Sequence, residues 1–211
     1  MKQNKFTYIG LFLLLHLILL IIDRINYNIL FNLLWISHFA LLIAAIGFFT
    51  RNNFILSGSL VSVLVVHGVW IIDYASLILT GNSLTGYTLY MLDLSLYRKL
   101  ITFHHIYLIP LLLWALWKQR KISKYGWILA ATLFAVLSLL TFIFTPIAYN
   151  VNCAHSICSE IKVIFPFTSF LDNLHPVAYL ILLNILIDIV IFFLFNMIIY
   201  YIFKRKFSKE K

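Results

Sequence analysis

Six stretches of the chain are apolar for longer than a water-soluble fold can use: residues 6–22, 28–50, 54–79, 99–117, 126–148 and 176–203. About 20 apolar residues are needed for a helix to cross the hydrocarbon core of a bilayer. A backbone in lipid must satisfy its own hydrogen bonds, so runs of this kind fold as helices. Composition leaves little alternative, because 63% of residues are hydrophobic and 11% charged, against about 25% charged in soluble domains. The reading is an all-α, polytopic bundle of six transmembrane helices forming a single domain over 1–211, with membrane lipid as its main partner.

The basic residues set the expected orientation. With the N-terminus inside, the inner segments carry twelve Lys and Arg, among them "KQRKISK" (118–124) and "KRKFSKEK" (204–211). The outer segments carry four: Arg24, Arg98, Lys99 and Lys162. This bias predicts both termini in the cytoplasm. It also accounts for the net charge of +9 without nucleic acid. The basic start Met1–Lys5 resembles that of a signal peptide, but "IIDRINYN" (21–28) follows the first run where a small-residue cleavage site would stand, so the run is read as a retained anchor. Richness in Ile, Phe, Asn and Lys suits a low-GC bacterial genome, hence an inner-membrane protein.

Given that orientation, the ionisable groups within the runs gather in the outer half or at mid-depth. Ser37 and His38 lie in the second run, His67, Trp70, Asp73 and Tyr74 in the third, and His104, His105 and Tyr107 in the fourth. His67, Trp70 and Tyr74, at i, i+3 and i+7, share one helix face. His104 and His105 point about 100° apart on a helix of 3.6 residues per turn, so one is expected to line a site while the other bonds a neighbouring helix. Such groups cost several kcal/mol each in a membrane and mark function by default. His16 is read as an interhelical hydrogen-bonder, and Asp188 as a partner of Asn184 or of an inward histidine. The loop 149–175 adds Asn150, Asn152, Asp172 and His175, and "FPFTSFLDNLHP" (165–176) reads as a re-entrant or surface-lying turn. Pro176 suits the first position of the last helix. Cys153 and Cys158 in "NCAHSIC" are placed outside, where a disulfide can form; a Cys-Cys-His metal clip is the alternative.

"LLWISHFALLIAAIGFFTRNNFILSGSLVSVL" (33–64) resembles the second span of the intramembrane hydrolase and acyltransferase superfamily. That group includes androgen-induced threonine hydrolases of lipid esters, a related cysteine acyltransferase and bacterial integral membrane relatives. "TFHHIYLIP" is similar to the later span that supplies the family's histidine base. "FTPIAYNVN" and "FLDNLHPVAYLILL" resemble its final loop and last span. The resemblance implies an intramembrane hydrolase or acyltransferase acting on a lipid-ester or acyl substrate. Ser37 then takes the nucleophile's place, where the family has threonine or cysteine, with His104 as base and Asp73 orienting it. His38, His67, Trp70, Tyr74, His105 and Tyr107 would line the substrate slot, and Asn150 or Asn152 would donate to the oxyanion. "GNSLTGYTLYMLD" and "RKLITFHHIYLIPLLLW" also resemble an uncharacterised group of bacterial membrane proteins of similar layout.

Two other classes compete. Histidines on the first four runs suit haem or a metal, with His38 and His67 as one haem pair. His67, Asp73 and His104 form a conceivable zinc set. No cofactor or metal ligand is assigned on these grounds, and the oligomeric state is open. Small-solute transport would need broken helices near mid-membrane, for which Gly58 and Pro110 are the candidates.

Overall fold

The computed structural model describes residues 3–208, with side chains from 5 to 207. The secondary structure of these residues is helical throughout. α1 spans Gln3–Asn26, α2 Ile36–Thr50, α3 Asn53–Thr80, α4 Leu96–Thr102, α5 His104–Gln119 and α6 Gly126–Phe144. The short α7 (Ser159–Ile164) lies in the long loop, and α8 (Pro176–Leu186) and α9 (Leu194–Ser208) are joined by a π-helical segment, Ile187–Phe193. Five of the resulting helices are long and apolar enough to cross a membrane: 5–26, 53–80, 96–119, 126–144 and 176–207.

The second run differs from its sequence reading. Residues 28–35 do not continue a helix: Asn28 takes a left-handed φ of 54°, a 3-10 turn covers Leu30–Leu34, and Trp35 is extended. α2 begins only at Ile36 and has 15 residues, about 22 Å at 1.5 Å per residue. The fifth run stops at Phe144 rather than 148, because Pro146 drives Thr145 into the extended region (ψ 144°). α5 passes through Pro110 without ending. "FPFTSFLDN" forms a 3-10 helix, Pro166–Asn173, with Phe167 and Phe170 exposed, and Pro176 opens α8.

α3 is the central helix, packed against α2, α5 and α6. Small residues let these backbones approach, as membrane helix interfaces require. Ser59 Oγ donates to the Ala40 carbonyl of α2 at 2.8 Å. At Gly58 an added Cβ would stand 2.7–2.9 Å from Leu129 of α6, so the glycine serves close packing and not a hinge. The exterior is apolar: Leu15, Ile72, Leu79 and Ile189 are exposed, a surface suited to acyl chains.

Candidate functional site

The α4–α5 junction builds the centre. α4 ends at Thr102, and Phe103 (φ −66°, ψ −2°) separates it from α5. His104 Nδ1 lies 2.9 Å from the Ile101 carbonyl, and His105 Nδ1 lies 2.8 Å from the Thr102 carbonyl. A carbonyl only accepts, so each Nδ1 carries the ring proton and each Nε2 presents a lone pair. The rings lie 4.1 Å apart between centroids. Both therefore enter one site, which corrects the expectation of divergent neighbours. Residues 100° apart on one turn converge because each ring is pulled back to a carbonyl three residues earlier.

Other helices complete a histidine cluster. His67 of α3 lies 4.4 Å from His105 and 5.7 Å from His104 between ring centroids. His38 of α2 and His16 of α1 lie 5.6 and 5.5 Å from His104. His16 Nε2 donates to the Ile101 carbonyl at 2.7 Å, so it is both an interhelical bond and the cluster's edge. Tyr107 packs on His16 and Phe12, away from Trp70, and its hydroxyl is buried without a partner. His67 and His104 are buried and His105 is half-buried. Both ring nitrogens of His67, Nε2 of His104 and Nδ1 of His38 are buried with no hydrogen-bond partner. Buried polar atoms of this kind are costly to leave unmet.

One ligand atom each from His67, His104 and His105 lies within 4.8 Å of the others. Imidazole nitrogens around a tetrahedral ion at ~2.0 Å stand ~3.3 Å apart, so the three rings would have to move inward from this spacing to share one ion. Carbonyl bonds at Nδ1 of His104 and His105 are the outer-shell contacts that orient metal-binding histidines.

Asp73 belongs neither to a catalytic triad nor to the zinc set. Its carboxylate accepts from Ser83 Oγ at 2.7 and 2.9 Å, from the Thr85 and Thr88 amides at 2.7 and 2.8 Å, and from Thr88 Oγ1 at 2.6 Å. It fastens the loop after α3 back onto that helix. The same loop sends Tyr90, whose hydroxyl accepts from Trp70 Nε1 at 2.9 Å. Trp70 stacks on His105 at 4.9 Å and on Tyr74 at 4.8 Å. The 81–95 loop thus roofs the histidines through Trp70, a link that sequence spacing did not reveal.

Ser37 is buried beside His38. Among the described residues no hydrogen bond joins it to a histidine. Asn150 and Asn152 are not oxyanion donors, since their amides are committed elsewhere. Asn152 accepts from the Ile36 amide at 3.0 Å and donates to the Leu34 carbonyl at 2.8 Å, which bridges the break before α2. Asn150 accepts from the His155 and Ser156 amides and donates to Ser156. A Cys153–Cys158 disulfide closes the same loop. Lys162 pairs with Asp172 at 2.5 Å, and that contact holds the Asp172 carboxyl below its ordinary range. His175 caps α8 by accepting from the Val177 amide.

Asn184 pairs with Ser138 and not with Asp188, whose Oδ1 is buried without a partner in the π-helical segment. The sequence reading also passed over Asp23. Buried at the end of α1, it pairs with Arg24 (3.1 Å) and Arg98 (3.3 Å), and so ties α1 to α4. Arg98 also lies 4.1 Å over the Tyr27 ring. The adjacent "DR" was the available signal.

Comparison with protein-family models, with characterised proteins and with solved structures finds no match for this chain.

Proposed function

We propose that this chain is a bacterial inner-membrane protein crossing six times, with both termini cytoplasmic, that binds a first-row transition-metal ion through His67, His104 and His105. The observation that carries the reading is His67: both its ring nitrogens are buried without partners beside the unpartnered Nε2 of His104. Imidazole suits zinc, copper, iron and nickel. Three protein ligands would leave a fourth position open to water or a small substrate, the arrangement of reactive rather than purely structural sites. The half-buried His105, beneath Trp70 and the 81–95 loop, is the side from which such a ligand would arrive. Elemental analysis of the purified protein tests this. About one equivalent of such an ion is expected in the parent, falling below a tenth in His67→Ala and His104→Ala; parent-level metal in both variants would overturn the reading.

A second reading keeps lipid-ester hydrolysis or acyl transfer: Ser37 attacks the ester carbonyl, His104 takes its proton and gives it to the departing alcohol as the ester C–O bond breaks, and water or an acceptor hydroxyl then takes the acyl group from Ser37. His104 supports it, because the Ile101 carbonyl fixes the tautomer that leaves Nε2 free as a base. Here the Ile101 carbonyl, and not Asp73, is the orienting group. A fluorophosphonate probe should label the parent and not Ser37→Ala; labelling unchanged by that substitution would remove the nucleophile.

A further inference from the structure

A second site lies at the opposite end of the bundle, away from the histidines. A cleft of about 380 Å³ is lined by Arg120, Lys121, Ile122, Tyr200, Phe203, Lys204 and Phe207. It sits where the apolar runs of α5 and α9 end. Trp117 packs edge-on against Phe203 and Phe207 at 5.7 and 5.0 Å, which fixes the two helix ends against each other.

Charge is segregated between the two ends. At the loop end, three of the four cations, Arg24, Arg98 and Lys162, are matched by Asp23 or Asp172. Around the cleft, neither 117–125 nor 199–208 contains an acidic residue. Lys121 and Lys204 are exposed and make no ion pair among the described residues. The cleft's other lining is aromatic and aliphatic, and the exposed Trp117 ring of α5 lies against its Phe203 and Phe207. Cations beside an exposed aromatic ring where two apolar helices end match a molecule with an anionic head and acyl tails.

We propose that this cleft binds the phosphate headgroup of an anionic phospholipid, with Lys121 and Lys204 facing the phosphate and the acyl chains passing the exposed Trp117 toward the apolar length of α5. Basic residues near an anionic lipid surface contribute at most about 1 kcal/mol each; at roughly 0.7 kcal/mol each, removing two weakens retention about tenfold.

Native mass spectrometry of the full chain, delipidated in detergent and titrated with phosphatidylglycerol or phosphatidylcholine, tests this. One phosphatidylglycerol should be retained in preference to phosphatidylcholine. Lys121→Gln with Lys204→Gln should reduce that retention about tenfold, and Lys99→Gln at the other end should not change it. If the double variant fails to melt cooperatively, the two single variants, each expected to lose about threefold, take its place. Equal retention of both lipids, or unchanged retention in the lysine variants, overturns the proposal. Displacement of the lipid by an equal concentration of inorganic phosphate does so too, since it would make the site a free-phosphate one.

Discussion

Asp73→Asn should open the 81–95 loop while leaving the helix bundle intact. The aspartate's two oxygens serve four donor groups: Ser83 Oγ, the Thr85 amide, the Thr88 amide and Thr88 Oγ1. An asparagine keeps one acceptor oxygen and turns an NH₂ toward the remaining donors. Whichever way the amide is placed, one backbone N–H, of Thr85 or of Thr88, then faces a donor. The hydroxyls can rotate to accept, but a backbone N–H cannot. The substitution removes charge-assisted bonds worth about 1.5–3 kcal/mol and strands an amide at a cost of about 1–3 kcal/mol. A net loss of about 3–5 kcal/mol in loop closure corresponds to roughly 10²- to 10⁴-fold faster exchange through local opening. Hydrogen exchange on the protein in detergent should show this at Thr85, Thr88 and Met91, with the α3 core around Leu60 unchanged. Protection at Thr88 within threefold of the parent would refute the latch; equal loss at Leu60 would mean that Asp73 supports the whole bundle.

Further outcomes follow from individual contacts. Asn152→Ala removes the bridge across the break before α2 and should destabilise the protein by about 2–3 kcal/mol, read as a lowered thermal midpoint; an unchanged midpoint would contradict that role. Gly58→Ala should cost about 1–3 kcal/mol through overlap with Leu129, whereas Gly68→Ala, with nothing within 4 Å of the new Cβ, should be neutral or slightly stabilising. The Asp172 carboxyl is held low by Lys162 and by the Ile157 amide. Its contribution is therefore complete above the unfolded value of about 3.9 and is lost as pH falls through the lower folded one. Pepsin should cleave 159–175 more slowly in the parent than in Asp172→Asn, which lacks the pair at every pH, and the two rates should converge as pH falls below about 4; a constant ratio between the two would count against the pair.

The apolar runs make the helical fold legible, because lipid leaves the backbone no other way to satisfy itself. What they hide is where a run breaks. Residues 28–35 are as apolar as the helices around them, and the break depends on Asn152, 118 residues from Leu34 along the chain. The histidines were legible as expensive groups at similar depth, and His67, His104 and His105 do meet. Two errors came from treating each residue by helix spacing alone. His105 was expected to turn away from His104, but the junction at Phe103 exposes two carbonyls that hold both rings together. Asp73 reads from the sequence as the group that orients His104, yet its partners lie in a polar loop, "GNSLTGYT", whose Ser and Thr residues donate to it. Asp23 escaped notice because its partner Arg98 sits 75 positions away.

Metal content under controlled loading tests the histidine centre most directly. Protein stripped with chelator and given Co²⁺ in detergent should take up one equivalent and show the visible d–d bands of a tetrahedral, nitrogen-rich site. Those bands should be lost in His67→Ala and His105→Ala and retained in Asp73→Asn. Absence of the bands in the folded parent, or their persistence when His67 is removed, would contradict a centre built on these three imidazoles.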